Sequence, residues 1–254
     1  MSSFPRQPPQ RCLLQHSPVV ATGYEEKGTY EELGGYKTYT TGPDSAEKGI
    51  VVIYDIFGYF PQTIQGADIL ATSDKQKYRV FIPDWFKGTP ADISWYPPQT
   101  DEQKEKLGAW FGKNGFNEAA PKVPGYVEAL KQKYPNIKSW GILGFCWGGK
   151  VTTLVTSSGS HPFQAAATAH PAFLDPADAP KIDVPICVLA SQDESADDVT
   201  KFDEGLKVDK HIETFGDQIH GWMAARSNLK DERVAEEYKR GYETVLKFLA
   251  STFD

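Results

Sequence analysis

The sequence predicts an α/β architecture with a mainly parallel central sheet and helices on both faces. Three observations carry this expectation. Apolar, β-branched runs alternate with helix-compatible segments along most of the 254 residues, the pattern produced when crossover helices link parallel strands. The run Gly49-Ile-Val-Val-Ile-Tyr54 is apolar at successive positions, as a strand covered on both faces must be. A glycine-rich segment, Gly144-Phe-Cys-Trp-Gly-Gly149, joins a predicted strand to a predicted helix, a junction where such sheets carry their chemistry.

Residues 1–30 mix Pro, Gln, Gly and charge without periodicity and predict an extended arm, leaving 31–254 as one domain. A domain of that size is ordinary for this class. After Gly34-Gly35 a short strand is expected over 36–40, and the turn Gly42-Pro43-Asp44 leads into the central strand over 49–55. Further strands are predicted over 78–83, 139–143, 164–169, 185–191 and 211–215. Helices are predicted over 63–76, 102–111, 122–134, 148–157, 197–206 and 230–251. The stretch 89–100, rich in Pro and Trp, reads as a covering segment.

Composition excludes several function classes. Lys and Arg total 27 against 34 Asp and Glu, a formal net charge of −7 with no basic block, so no nucleic-acid partner is expected. No apolar run approaches the roughly 20 residues that span a bilayer, and the first residues lack the apolar region of a signal peptide. A cytoplasmic protein without a membrane partner is therefore expected. The three cysteines, Cys12, Cys146 and Cys187, form neither a paired framework nor a CxxC spacing, so no disulfide scaffold and no metal are expected. Cys187 sits inside the apolar run Ile186-Cys-Val-Leu189 and reads as core.

Cys146 is different. Gly144-Phe-Cys-Trp-Gly148 follows the nucleophile-elbow pattern G-x-S-x-G with cysteine for serine. The two glycines allow strand and helix to pass closely around a strained turn. The turn also sets the sulfur at a helix N-terminus, where backbone N–H groups favour a thiolate and a developing oxyanion.

In the α/β-hydrolase arrangement that this elbow resembles, an acid and then a histidine follow the nucleophile, each after a later strand. Asp193 follows the strand-like 186–191, and His220 follows the strand-like 211–215. His220 is the predicted base and Asp193 the predicted orienting acid. Glu194 and Asp197 in the same turn are alternative acids, and Asp193 could instead cap the following helix. His211 begins a predicted strand, His16 lies in the arm and His161 in a loop, so none competes as base. His170 ends a predicted strand, which suits either a pocket contact or a hydrogen-bonded structural histidine.

Taken together, Asp55-Ile-Phe-Gly58, Pro83-Asp-Trp-Phe86, the cysteine elbow, Gln192-Asp193 and His220-Gly-Trp222 resemble the dienelactone hydrolase (carboxymethylenebutenolidase) family, in a eukaryotic, fungal-like branch. The resemblance runs from about Gly34 to the C-terminus and implies the α/β-hydrolase fold. It also implies the triad Cys146, Asp193 and His220, an oxyanion hole from the backbone N–H groups of Ile56 and Trp147, and no cofactor. Asp55 takes the place of a family glutamate that modulates the thiol. Lys87 and Arg226 fall near two family arginines that hold a substrate carboxylate, and a lysine lacks their bidentate fork. Trp85, Phe86, Trp147 and Trp222 imply an aromatic pocket.

The function expected from this is cysteine-dependent hydrolysis of a small ester or lactone through a thioacyl intermediate, by a monomer or homodimer. A thioesterase is the neighbouring alternative. A hydrolase-fold protein that only binds a ligand or partner is the alternative from another class.

Overall fold

The computed structural model describes residues 23–72, 76–96 and 98–253. One eight-stranded sheet crosses them in the order β1-β2-β4-β3-β5-β6-β7-β8. The strands are β1 (Thr29–Leu33), β2 (Tyr36–Thr41), β3 (Lys48–Ile53), β4 (Tyr78–Pro83), β5 (Ser139–Phe145), β6 (Ala165–Ala169), β7 (Ile186–Ser191) and β8 (Lys210–Phe215). From β4 to β8 every pairing is parallel, while β1–β2 and β2–β4 are antiparallel. The expected mainly parallel sheet is therefore present, with an antiparallel edge.

The described α-helices are α1 (Pro61–Thr72), α2 (Asp101–Lys113), α3 (Phe116–Ala119), α4 (Val123–Lys133), α5 (Trp147–Thr156), α6 (Ala196–Gly205) and α7 (Glu232–Thr252). Side chains alternate between the two faces of a strand, and β5 shows the resulting layers. Trp140 packs on Phe81, which in turn meets Tyr134 at the end of α4, and a side chain at Gly144 would point at Thr152 of α5. In the opposite direction, Gly141 faces Phe253 after α7 and Phe145 meets Tyr242 of α7. Helix α1 joins α7 on that second face, where Gly66 allows the hydroxyl of Tyr242 to approach.

One difference from the sequence expectation concerns the N-terminal part. Thr29 and Tyr30, expected in the arm, begin edge strand β1, whose register runs from Thr29 opposite Thr40 to Leu33 opposite Tyr36. The pattern of β1 is weak because it is an edge strand, with exposed Thr29, Tyr30 and Glu32. Tyr24 and Lys27 are tied to the buried carboxylate of Asp68 on α1 through the Tyr24 hydroxyl at 2.6 Å and the Lys27 N–H at 3.1 Å. The same carboxylate accepts the Tyr39 hydroxyl at 2.8 Å. Residues 1–22 of the expected arm, with Cys12 and His16, lie outside the described residues.

Candidate active site

The site is assembled at the carboxyl ends of β3, β5, β7 and β8. Cys146 stands between β5 and α5 with φ 51° and ψ −112°, the left-handed strain expected of an elbow. The turn closes only because two positions lack a side chain. A Cβ on Gly144 would lie 2.1 Å from the carbonyl oxygen of Gly148, and one on Gly148 would lie 2.0 Å from that of Ile53. Cys146 is half-buried and remains a free thiol, as does fully buried Cys187. Trp147 is the first residue of α5, so its N–H has no acceptor within the helix.

His220 lies in the loop after β8. Its Nδ1 is 2.6 Å from Oε1 of Glu194, whose side chain is 6% exposed against 13% for the histidine. Asp193, expected as the ring's partner, instead accepts the backbone N–H of His220 through Oδ2 at 2.7 Å and remains exposed. The turn after β7 explains the exchange. The Asp193 N–H donates to the Ser191 hydroxyl at 3.2 Å and the Gln192 N–H donates to the Gln218 carbonyl at 2.9 Å, while the second carboxylate oxygen of Glu194 accepts the Ser191 N–H. Thus pinned, the turn directs the Asp193 side chain outward along the loop backbone. The longer Glu194 reaches the ring. Asp197, the other alternative, is exposed and paired with Lys201 at 2.6 Å.

The other face of the His220 ring serves Cys146. Burial is the largest influence on the imidazole and pulls its pKa down, but hydrogen bonding to Cys146 and Glu194 outweighs it and raises the pKa to about 10. His170 packs edge-on against His220 with ring centroids 5.1 Å apart and stacks on Phe145. It is fully buried with φ 39°, and no protein group within hydrogen-bond distance partners either ring nitrogen. Burial, reinforced by the His220 charge, holds it well below the usual histidine range, so His170 is neutral.

Asp55 is buried at the end of β3, and both its oxygens are taken by backbone donors: Phe57 N–H at 2.9 Å and Ala225 N–H at 3.1 Å. Burial pushes its carboxyl up to about 6. Asp55 thus clips the Ile56 loop to the loop that carries His220.

A cavity of about 460 Å³ opens over this group, lined by Ile56, Cys146, Asp193, Glu194 and His220 together with Tyr96, Pro98, Leu107, Phe111, Pro171, Ala172, Phe173, Leu174, Ser195 and Asp198. Trp85, Phe86, Lys87, His170, Trp222 and Arg226, expected to contact substrate, are not among its lining residues. Trp85 packs between Tyr36 and Tyr126, and Phe86 between Trp110 and Trp147. Lys87 lies over the ring of Tyr36, and Trp222 is fully buried against Phe215. Arg226 donates to the carbonyl of His220 at 2.7 Å and lies over the ring of Tyr96, while His170 sits behind His220. These aromatics are core because the strand-end loops turn them inward. The cavity walls come from the 89–100 segment, from α2 and from the loop after β6. A signal for two of those sources was present in the sequence, namely the covering segment that supplies Tyr96 and Pro98, and the Pro171-Ala172-Phe173 sequence after His170. Leu107 and Phe111 carried none, since one apolar face of a helix reads as core.

Comparison with known proteins gives the family of the chain. The profile of the "Dienelactone hydrolase family" matches residues 36–253. An uncharacterised AIM2 family protein of Schizosaccharomyces pombe is 34% identical over 236 residues, spanning 91% of this chain and 94% of that protein. A carboxymethylenebutenolidase homologue of Mus musculus is 27% identical over 215 residues, spanning 79% and 81%. Among solved structures, dienelactone hydrolase from Anabaena variabilis superposes with a TM-score of 0.64 at 14% identity, covering 91% of this chain and 99% of that one. In fold and sequence, the chain belongs to the dienelactone hydrolase family.

Proposed function

We propose that this protein hydrolyses small esters or lactones through a thioacyl intermediate on Cys146, with His220 as the base and Glu194, rather than Asp193, as the acid that orients it. The observation that carries this reading is the convergence of an elbow cysteine and a histidine held by a buried carboxylate in one cavity. The family points the same way for the class of reaction, and the carboxymethylenebutenolidase homologues bring carboxylic ester bonds into view.

In the proposed cycle His220 already carries its proton on Nε2 when Sγ of Cys146 attacks the carbonyl carbon. Glu194 keeps Nδ1 protonated and supports the imidazolium. The tetrahedral oxyanion is held by the N–H groups of Ile56 and Trp147, where losing one such donor costs on the order of 3 kcal/mol. Collapse breaks the carbonyl–oxygen bond, and the leaving alkoxide takes the proton from His220. Water then attacks the thioester and gives a proton to His220, and the carboxylic acid departs as the carbon–sulfur bond breaks, which restores the starting charge distribution of Cys146 and His220. A lactone follows the same course, with the alcohol remaining attached to the acyl group.

Among the described residues no helix is long and apolar enough to cross a membrane. With Cys146 and Cys187 both free thiols, we place the reaction in a reducing compartment such as the cytoplasm. The test is hydrolysis of p-nitrophenyl acetate, a dienelactone and an acyl thioester by wild type, Cys146→Ser and His220→Ala. Turnover of any of the three that falls in both variants supports the reading, and the preferred substrate separates an esterase from a thioesterase. A wild type inert toward all three, and unlabelled by them, would favour a ligand-binding protein.

A further inference from the structure

The charges around the cavity bear on the substrate class, an inference that rests on the hydrolase reading above. Its walls are aromatic and aliphatic, with Tyr96, Leu107, Phe111 and Leu174 along them. At the mouth, Phe173 is 63% exposed, in a loop position with φ 50°, its ring 6.4 Å from Phe111 and 5.7 Å from Phe116. A large apolar side chain left in solvent beside a reactive thiol is a surface for an acyl group to cover.

The charged side chains that line the cavity, apart from His220, are all acidic: Asp193, Glu194 and Asp198. Glu194 is committed to His220 and to the Ser191 N–H, so its charge offsets the imidazolium. Asp193 is exposed with one oxygen bonded to the His220 N–H. Asp198 is half-buried in the first turn of α6, where the helix dipole favours an anion. Among the described residues no lysine or arginine lines the walls. Lys87 is engaged with the Tyr36 ring, and Arg226 with the His220 carbonyl and the Tyr96 ring. A substrate carboxylate would therefore enter an apolar cleft rimmed by like charge, without a partner to offset its desolvation.

We infer that the cavity accepts acyl groups that are apolar or aromatic and uncharged, and rejects esters or lactones whose acyl portion carries a carboxylate. Selection is made by Asp193 and Asp198 at the rim and by the aromatic lip at Phe173.

Two measurements on the full chain test this independently. The first is the alkylation of Cys146 by neutral iodoacetamide and by anionic iodoacetate, read by peptide mass spectrometry and normalised to the rates of a small free thiol. Iodoacetamide is expected to be favoured at least about tenfold beyond the free-thiol ratio, as like-charge juxtaposition requires. Asp198→Lys should shrink that preference severalfold. An equal or faster reaction with iodoacetate overturns the inference whether or not the protein is a hydrolase. The second is kcat/KM for p-nitrophenyl butanoate and phenylacetate against p-nitrophenyl hydrogen succinate. The neutral esters should lead by at least about tenfold, and a succinate ester turned over as well as the neutral pair contradicts the inference while leaving the hydrolase intact. If no ester is turned over, the hydrolase reading fails. The alkylation ratio then decides alone whether the cavity selects against anions.

Discussion

The imidazole of His220 points Nδ1 at Glu194 Oε1 across 2.6 Å, while the neighbouring Asp193 holds the backbone N–H of the same histidine at 2.7 Å. Two adjacent acids thus divide the work of fixing one base. One sets the tautomer of the ring and the other fixes the loop that carries it.

This division predicts unequal mutants. Glu194→Gln should lower kcat/KM by roughly 10²- to 10⁴-fold, the scale seen when the acid of a triad loses its charge. Asp193→Asn keeps an oxygen for the His220 N–H and should cost less than about tenfold, a single neutral hydrogen bond exchanged for a charged one. Steady-state kinetics on one ester decides the matter, and a larger loss in Asp193→Asn would restore Asp193 as the orienting acid.

The raised pKa of His220 gives a pH prediction. Because the folded value, about 10, lies above the ordinary histidine value of 6.5, the stabilisation from its charged form is complete below about 6.5 and is lost as pH rises through about 10. The imidazole should therefore remain protonated at pH 8 by NMR, and Cys146→Ser or Glu194→Gln should each move its titration downward. A wild-type ring that titrates near 6.5 would mean that Cys146 and Glu194 do not hold the proton there.

Asp55 should act as a clip. Asp55→Ala leaves the Phe57 and Ala225 N–H groups buried without acceptors, which should cost about 2–4 kcal/mol of folding stability and also displace Ile56. Chemical denaturation measures this. An Asp55→Ala protein as stable as wild type would leave no place for the clip.

The elbow glycines should be intolerant of a methyl group. Gly148→Ala would drive a Cβ to 2.0 Å from the Ile53 carbonyl oxygen, and a loss of roughly 3 kcal/mol or more is expected from the backbone displacement. Thermal unfolding of Gly148→Ala beside Gly125→Ala, where a Cβ meets nothing within 4 Å, provides the contrast. Equal melting temperatures would contradict the close strand–helix crossing.

The strands legible in the sequence were those whose residues are buried on both faces, such as β3 and β7, with every position of Ile186–Ser191 buried. Edge strand β1 was not legible because half-exposed polar residues carry no such pattern. At the site, Cys146 and His220 stood out because glycine spacing and chain order constrain them. The choice between Asp193 and Glu194 was invisible, since it depends on which of two adjacent side chains the pinned turn directs inward. The expected pocket aromatics failed for a related reason. Phe86 and Trp222 have the right neighbours in sequence, but both are buried, packed on Trp110 and Trp147 and on Phe215 respectively. The true walls, including Phe111 and Phe173, come from segments distant in sequence from the catalytic loops.

The most direct test of the central claim is rapid quenching of wild type with p-nitrophenyl acetate, followed by peptide mass spectrometry. An acetyl group is expected on Cys146 with a burst of p-nitrophenol, absent in Cys146→Ala and at least about 10²-fold slower in His220→Ala, the contribution of a general base. Hydrolysis that persists in Cys146→Ala, or an acetyl group found only on another residue, would contradict it.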